Sequence, residues 1–171
     1  MRDTVYLLGG GQTRFGELWD KSLSGMISDA VNAALANTGV MPTDIDYVVI
    51  GNMIGGETAG QGHLGSFASS LLPHRPPALR VEAACASGGL AVHTACAMIE
   101  SGRAQTVLVI GAEKLTDVSG DVATKAIMQA GDAEKDMPCG LTFPGIFALT
   151  AQAYMHRYNL TRERLSLVSA C

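Results

Sequence analysis

Apolar and polar positions alternate along the chain in short runs and longer periodic ones. Thr4-Val-Tyr-Leu-Leu8 predicts a first strand, running into a glycine-rich turn at Gly9 to Gly11. From Leu23 to Asn37, apolar Met26, Ile27, Val31 and Leu35 recur at helical spacing and predict an amphipathic helix. Asp44 to Ile50 leads into a second strand, Ala78 to Val81 is a third, and Thr106 to Ile110 a fourth. Gly55 to Gly65 reads as a glycine-rich loop, and His63 to Leu72 as a short helix. Between Ala86 and Ser101 nearly every residue is apolar or small, with Leu90, Val92, Met98 and Ile99 spread around all faces. A helix apolar on every side is expected to be buried on every side. Gly102 suits the left-handed position just past its end, and Arg103 adds favourable charge there. Strands alternating with helices predict an α/β fold, a sheet with helices on its faces.

From Asp117 to Leu141 the pattern turns polar, and Gly131 to Asp136 is expected to be solvated. That stretch is the predicted boundary and a mobile segment, giving a core domain over 1–117 and a second portion over 118–171. A further helix is expected to begin at Thr161. Charged residues make up 16% of the 171 positions and the net charge is −4, which offers no electrostatic footprint for nucleic acid. No stretch approaches the roughly 18 uninterrupted apolar residues of a membrane span. Met1-Arg-Asp-Thr-Val5 lacks the architecture of a signal peptide, so a cytoplasmic location is expected. Cys85, Cys96, Cys139 and Cys171 form no pair with metal-ligand or disulfide-framework spacing, which suits a reducing compartment and predicts no metal.

The candidate chemistry sits at Val81-Glu-Ala-Ala-Cys85-Ala-Ser-Gly-Gly-Leu-Ala91. A cysteine between a strand and a long helix faces the unpaired first-turn N–H groups and the positive end of the helix dipole. Such a setting favours the thiolate, which is the nucleophile. Ala86, Ser87, Gly88 and Gly89 leave room for a large substrate to reach the sulfur. The carboxyl end of a strand is also where open α/β sheets bind ligands. His93 and Cys96 cannot activate this thiol, because they lie about 12 and 16 Å further along the helix axis. They are expected to be a core histidine and a packed small hydrophobe. The glycines at 9 to 11 do not complete a dinucleotide fingerprint, since Arg14 stands where G-x-G-x-x-G needs glycine.

These motifs together resemble the amino-terminal half of a thiolase. Cys85 to Ala91 and Gly111-Ala-Glu-Lys-Leu-Thr-Asp117 fit, and the similarity is greatest to the sterol-carrier-protein-linked branch. Gly11-Gln-Thr-Arg-Phe-Gly16, Gln61-Gly-His-Leu-Gly65, Phe143 to Ala148 and Met155 to Glu163 fit that branch too. Asn159 replaces the usual glycine and is expected to keep a positive φ. The resemblance implies a thiolase-like fold, with a mixed five-stranded sheet and a buried central helix starting at the nucleophilic Cys85. It implies acyl transfer between CoA thioesters through an S-acyl enzyme, by thiolysis of a 3-oxoacyl-CoA or by condensation. CoA is then a substrate and no cofactor is required.

The resemblance also implies roles for other residues. Met155, His156 and Tyr158 would line the acyl-CoA pocket, and Gln61 and His63 would lie on a loop by the dimer contact and active site. For these residues, simple packing or helix capping is the competing reading. A homodimer or higher homo-oligomer is expected, and a zinc-ribbon and oligonucleotide-fold (OB-fold) partner protein is conceivable from branch relatives. The family's C-x-G, G-H-P and N/H-E-A-F-type motifs, which supply acid/base and oxyanion groups, do not occur in this sequence. Truncation is expected over a split enzyme, because a helix cut midway is a poor natural terminus. Two alternatives stay open: a ketosynthase-like or hydroxymethylglutaryl-CoA-synthase-like condensing enzyme, and a catalytically silent subunit or fragment of a heteromeric complex.

Overall fold

A computed structural model describes residues 4–36 and 38–170. The chain forms two compact units, 1–123 and 124–171. In the first unit three strands, β1 (Tyr47–Gly51), β2 (Ala78–Val81) and β3 (Val107–Gly111), build a parallel sheet in the order β2-β1-β3. Val48 pairs with Ala78 on one side and Leu108 on the other, so the three strands end at one level. β1 is central, and Val48, Val49 and Ile50 are fully buried, the continuous apolar run of a strand covered on both faces.

Period-two alternation sends Val48 and Ile50 to one face and Val49 to the other. On the first face they pack with Leu23 and Ile27 of α1 (Leu23–Leu35) and Leu64 and Ala68 of α3 (Leu64–Ser70). The Ser22 hydroxyl caps α1 by accepting from the Gly25 N–H at 3.1 Å. The expected end of this helix at Asn37 lies outside the described residues. Between β1 and α3 the glycine-rich loop contains one short helical turn, α2 (Gly55–Thr58).

The opposite face is covered by α4 (Ser87–Glu100), which buries Ser87, Ala91 and Ala95 at four-residue intervals. Small residues on that stripe let the helix sit close to the strands. A Cβ on Gly51 would come within 2.5 Å of the Ser87 carbonyl oxygen. Burial of α4 on every side is not what the described residues show: Val92 is 53% exposed and His93 is exposed as well. At 100° per residue, position 93 points away from the 87/91/95 stripe, so the core-histidine reading is overturned. α4 ends as expected, with Gly102 at φ +72°.

The predicted first strand is absent. Residues 4–14 carry no strand, and Tyr6, Leu7 and Leu8 are 75%, 94% and 63% exposed. The physical reason is a missing ladder partner. A cavity of about 380 Å³ separates Tyr6 to Gly11 from β3. The segment leans on α1 instead, where a Cβ on Gly11 would lie 2.4 Å from the Ala30 carbonyl oxygen. The sheet of the described residues therefore has three parallel strands where a mixed five-stranded one was expected.

The stretch expected to be irregular after Asp117 includes a helix, α5 (Gly120–Met128). In the second unit, α6 (Phe143–Tyr158) starts at Thr142, whose hydroxyl accepts from the Gly145 N–H at 3.2 Å. It ends at Asn159, which has φ +49° as anticipated. Thr161 then caps α7 (Arg162–Ser166).

Candidate active site

All three strands deliver polar or reactive residues at their shared carboxyl edge: Asn52 after β1, Cys85 after β2, and Glu113 and Lys114 after β3. Cys85 lies in a single 3-10 turn, Ala84 to Ala86, just ahead of α4. The helix itself begins two residues later, so Cys85 precedes its cap instead of occupying it. The thiol is exposed, and nothing lies within 4 Å of a Cβ placed on Gly88 or Gly89. The chain therefore faces open space at these two glycines.

Backbone bonds close the turn, the Ala86 N–H donating to the Ala83 carbonyl at 2.9 Å and the Ser87 N–H to the Ala84 carbonyl, and side chains add three more. The Ala84 N–H donates to the Glu82 carboxylate. The Ser87 hydroxyl accepts from the Ala83 N–H at 3.0 Å and donates to the Ala84 carbonyl at 2.7 Å. Ala84 itself has φ +48°, a conformation that a non-glycine residue rarely takes.

Beside the turn lies a polar network that sequence reasoning did not find. Asn52, 2% exposed, donates through Nδ2 to the Ala112 carbonyl at 2.7 Å and to Glu113 Oε1 at 2.8 Å. Its Oδ1 accepts from the Gly55 N–H at 3.0 Å. The second Glu113 oxygen accepts from the Met53 and Ile54 N–H groups at 3.0 and 3.3 Å. On the other side Arg80 donates to the carbonyls of Asn52, Met53 and Gly62. The start of the glycine-rich loop is thus clamped between β2 and β3. The available signal was register: Gly51 is level with Gly111, so Asn52 and Glu113 follow adjacent strands at nearly the same height. Lys114, only 5% exposed, pairs with Asp117.

The other candidates are placed as follows. The Gln61 N–H donates to the Gly55 carbonyl at 2.9 Å, closing the loop on itself. His63 precedes α3 with an exposed side chain and makes no capping hydrogen bond. Met155, His156 and Tyr158 stand on α6 in the second unit, with Met155 half-buried and the other two exposed. The Tyr158 ring lies 4.6 Å from that of Tyr154 at a tilt of 46°, and the Arg157 guanidinium lies 5.5 Å from its centre. Cys96 is half-buried. The exposed Cys139 donates its thiol proton to the Lys135 carbonyl at 3.2 Å.

Comparison with known proteins decides what this edge belongs to. Residues 5–170 match the thiolase N-terminal domain. The chain belongs to the thiolase family. It is 45% identical to the acetyl-CoA acetyltransferase of Methanocaldococcus jannaschii, over 99% of this chain and 43% of that protein. With the acetyl-CoA acetyltransferase of Methanothermobacter thermautotrophicus it shares 42% identity, over 99% of this chain and 44% of that protein. Among solved structures, the acetyl-CoA acetyltransferase from Syntrophomonas wolfei superposes with a TM-score of 0.51 at 26% identity, covering 60% of this chain and 27% of that one. The thiolase fold expected from the motifs is therefore established. This thiolase chain spans less than half the length of the two archaeal relatives.

Proposed function

We propose that this chain supplies the acyl-carrying nucleophile of a thiolase, with Cys85 moving acyl groups between CoA thioesters. The observation that carries the reading is the exposed Cys85 thiol on a shaped turn at the carboxyl edge of the sheet, with open space at Gly88 and Gly89. Its thiolate attacks the thioester carbonyl, a new C–S bond forms to Cys85, and CoA leaves as the thiolate. In the second half-reaction an incoming CoA thiolate, or the enolate of a second acyl-CoA, takes the acyl group and frees the sulfur. Splitting one transfer into two is what a nucleophilic thiolate contributes. The Cys85 N–H, in the middle of the turn, is the donor this chain offers to the developing oxyanion.

CoA serves as substrate and the chemistry calls on no further cofactor. The acid/base groups come from sequence that is not in this chain, since the motifs that carry them in thiolases are missing here. Residues 1–117 form the nucleophile-bearing domain and 118–171 a loop domain, where Met155, His156 and Tyr158 contact the acyl-CoA. Gln61 and His63 border the site beside a homodimer contact, and the setting is the cytoplasm. The test is acetyl trapping. The chain is incubated with acetyl-CoA, quenched in acid and peptide-mapped. Acetyl on the Cys85 peptide, lost in Cys85→Ser, is expected; acetyl spread over Cys85 and Cys139 alike, or absent from Cys85, would overturn the reading.

A further inference from the structure

We infer that Ser87 is a positioning residue for Cys85: its buried hydroxyl staples the backbone at Ala83 and Ala84 and holds the left-handed turn that presents the thiol. This inference rests on the reading of Cys85 as the acyl carrier. Ser87 is 5% exposed, so its side chain faces the protein and not the substrate. Both capacities of the hydroxyl are spent on the same turn, one accepting from Ala83 and one donating to Ala84.

Ala84 is the residue that needs holding. Arg75, Ala84 and Asn159 are the described non-glycine residues with positive φ. Asn159 sits at a helix end, where asparagine is a common choice. Ala84 has neither a special side chain nor a helix end to explain φ +48°. Left to itself an alanine is disfavoured there by a factor of about ten. Its conformation decides where the next residue points, and the next residue is Cys85.

The Ala86 N–H also donates to the Ala83 carbonyl at 2.9 Å and closes the turn after Ala84, while among the described residues the Ala84 N–H itself has only Glu82. Glu82, which accepts from the Ala84 N–H, is exposed, so water can replace it. Water cannot readily enter at Ser87, whose backbone is pressed against Gly51: a Cβ there would lie 2.8 Å from the Ser87 carbonyl carbon. The staple is thus anchored to the central strand. It transmits the position of β1 and α4 to the turn.

The experiment uses the full chain as wild type, Ser87→Ala, Ala84→Gly and the double variant. Acetyl uptake from acetyl-CoA at Cys85 is timed by quenched peptide mapping, and urea midpoints confirm that each variant is folded in the assay. Ser87→Ala is expected to slow uptake about tenfold, the factor by which the left-handed alanine is disfavoured. Adding Ala84→Gly should restore most of the rate, because glycine takes positive φ freely. A merely structural role for Ser87 would leave the folded variant's rate unchanged, or would not be rescued at position 84. Either result overturns the inference. Backbone couplings of Ala84 by NMR are read alongside. If wild type takes up no acetyl, the reading of Cys85 fails; unchanged Ala84 couplings in Ser87→Ala then overturn the staple as well, and altered ones sustain it.

Discussion

Replacing Gly51 by alanine adds one methyl group at the tightest helix–strand contact beside Cys85. In place the new Cβ would lie 2.5 Å from the Ser87 carbonyl oxygen, 2.8 Å from its carbon and 3.1 Å from the Gly88 nitrogen. All three are backbone atoms, so no side chain can swing aside. α4 must shift or β1 must bend. Overpacking of this kind costs about 1–3 kcal/mol. A control is built into the register. Gly111 pairs with Gly51 on the neighbouring strand, yet a Cβ there meets nothing within 4 Å. Gly111→Ala should therefore change stability by no more than about 0.5 kcal/mol. Urea unfolding of both variants provides the measure, with unchanged slopes required before midpoints are compared. Equal costs for the two substitutions, or a Gly51→Ala midpoint at the wild-type value, would refute the close-contact argument. The same variant should also slow alkylation of Cys85, since its turn leans on the displaced residues.

Three further outcomes are expected. The Asp46 carboxylate accepts from the Thr106 and Gln105 N–H groups at 2.9 and 2.8 Å, and these bonds to the backbone hold its pKa below the ordinary value. A depressed folded-state pKa contributes stability above the unfolded value of about 3.9, lost as pH falls through the folded value. Asp46→Asn should cost about 1 kcal/mol at neutral pH, discounted for its exposure, and the gap from wild type in urea midpoint should close in acid below about pH 4. Glu113→Gln leaves an amide where one carboxylate accepts three N–H groups; a cost of about 2 kcal/mol and faster amide exchange at Met53 and Ile54 are expected. Iodoacetamide mapping at neutral pH should rank Cys85 ahead of Cys139, whose proton is committed to the Lys135 carbonyl, and Cys139 ahead of half-buried Cys96.

Much of the first unit was legible because each element declares itself locally. The apolar period over Leu23 to Leu35, the four residues of β2, the run Val107 to Ile110 and the glycine at 102 all needed only nearest neighbours in sequence. Asn159 was readable for the same reason: positive φ is a local property of a helix end. What failed depended on distant partners. Thr4 to Leu8 has strand composition, but a strand needs a ladder, and the edge of β3 lies across a cavity from it. The α4 residues Val92 and His93 look like core in a one-dimensional pattern, yet burial is decided by what packs on that face. Asn52, Glu113 and Arg80 were missed because their bonds join residues about 30 or 60 positions apart. Cys85 was singled out from motif and position, while the bonds of the Ser87 hydroxyl to Ala83 and Ala84 depend on how the chain folds back at the turn.

The central claim is that Cys85 accepts an acyl group from one thioester and returns it to another. An acyl-exchange chase tests this most directly. The chain is loaded with isotope-labelled acetyl from acetyl-CoA, freed of small molecules, and then given unlabelled CoA. Label on the Cys85 peptide should fall as labelled acetyl-CoA appears in equal amount, and Cys85→Ser should neither load nor return it. Label that remains on the chain after CoA is added, or that loads equally in Cys85→Ser, would contradict the account.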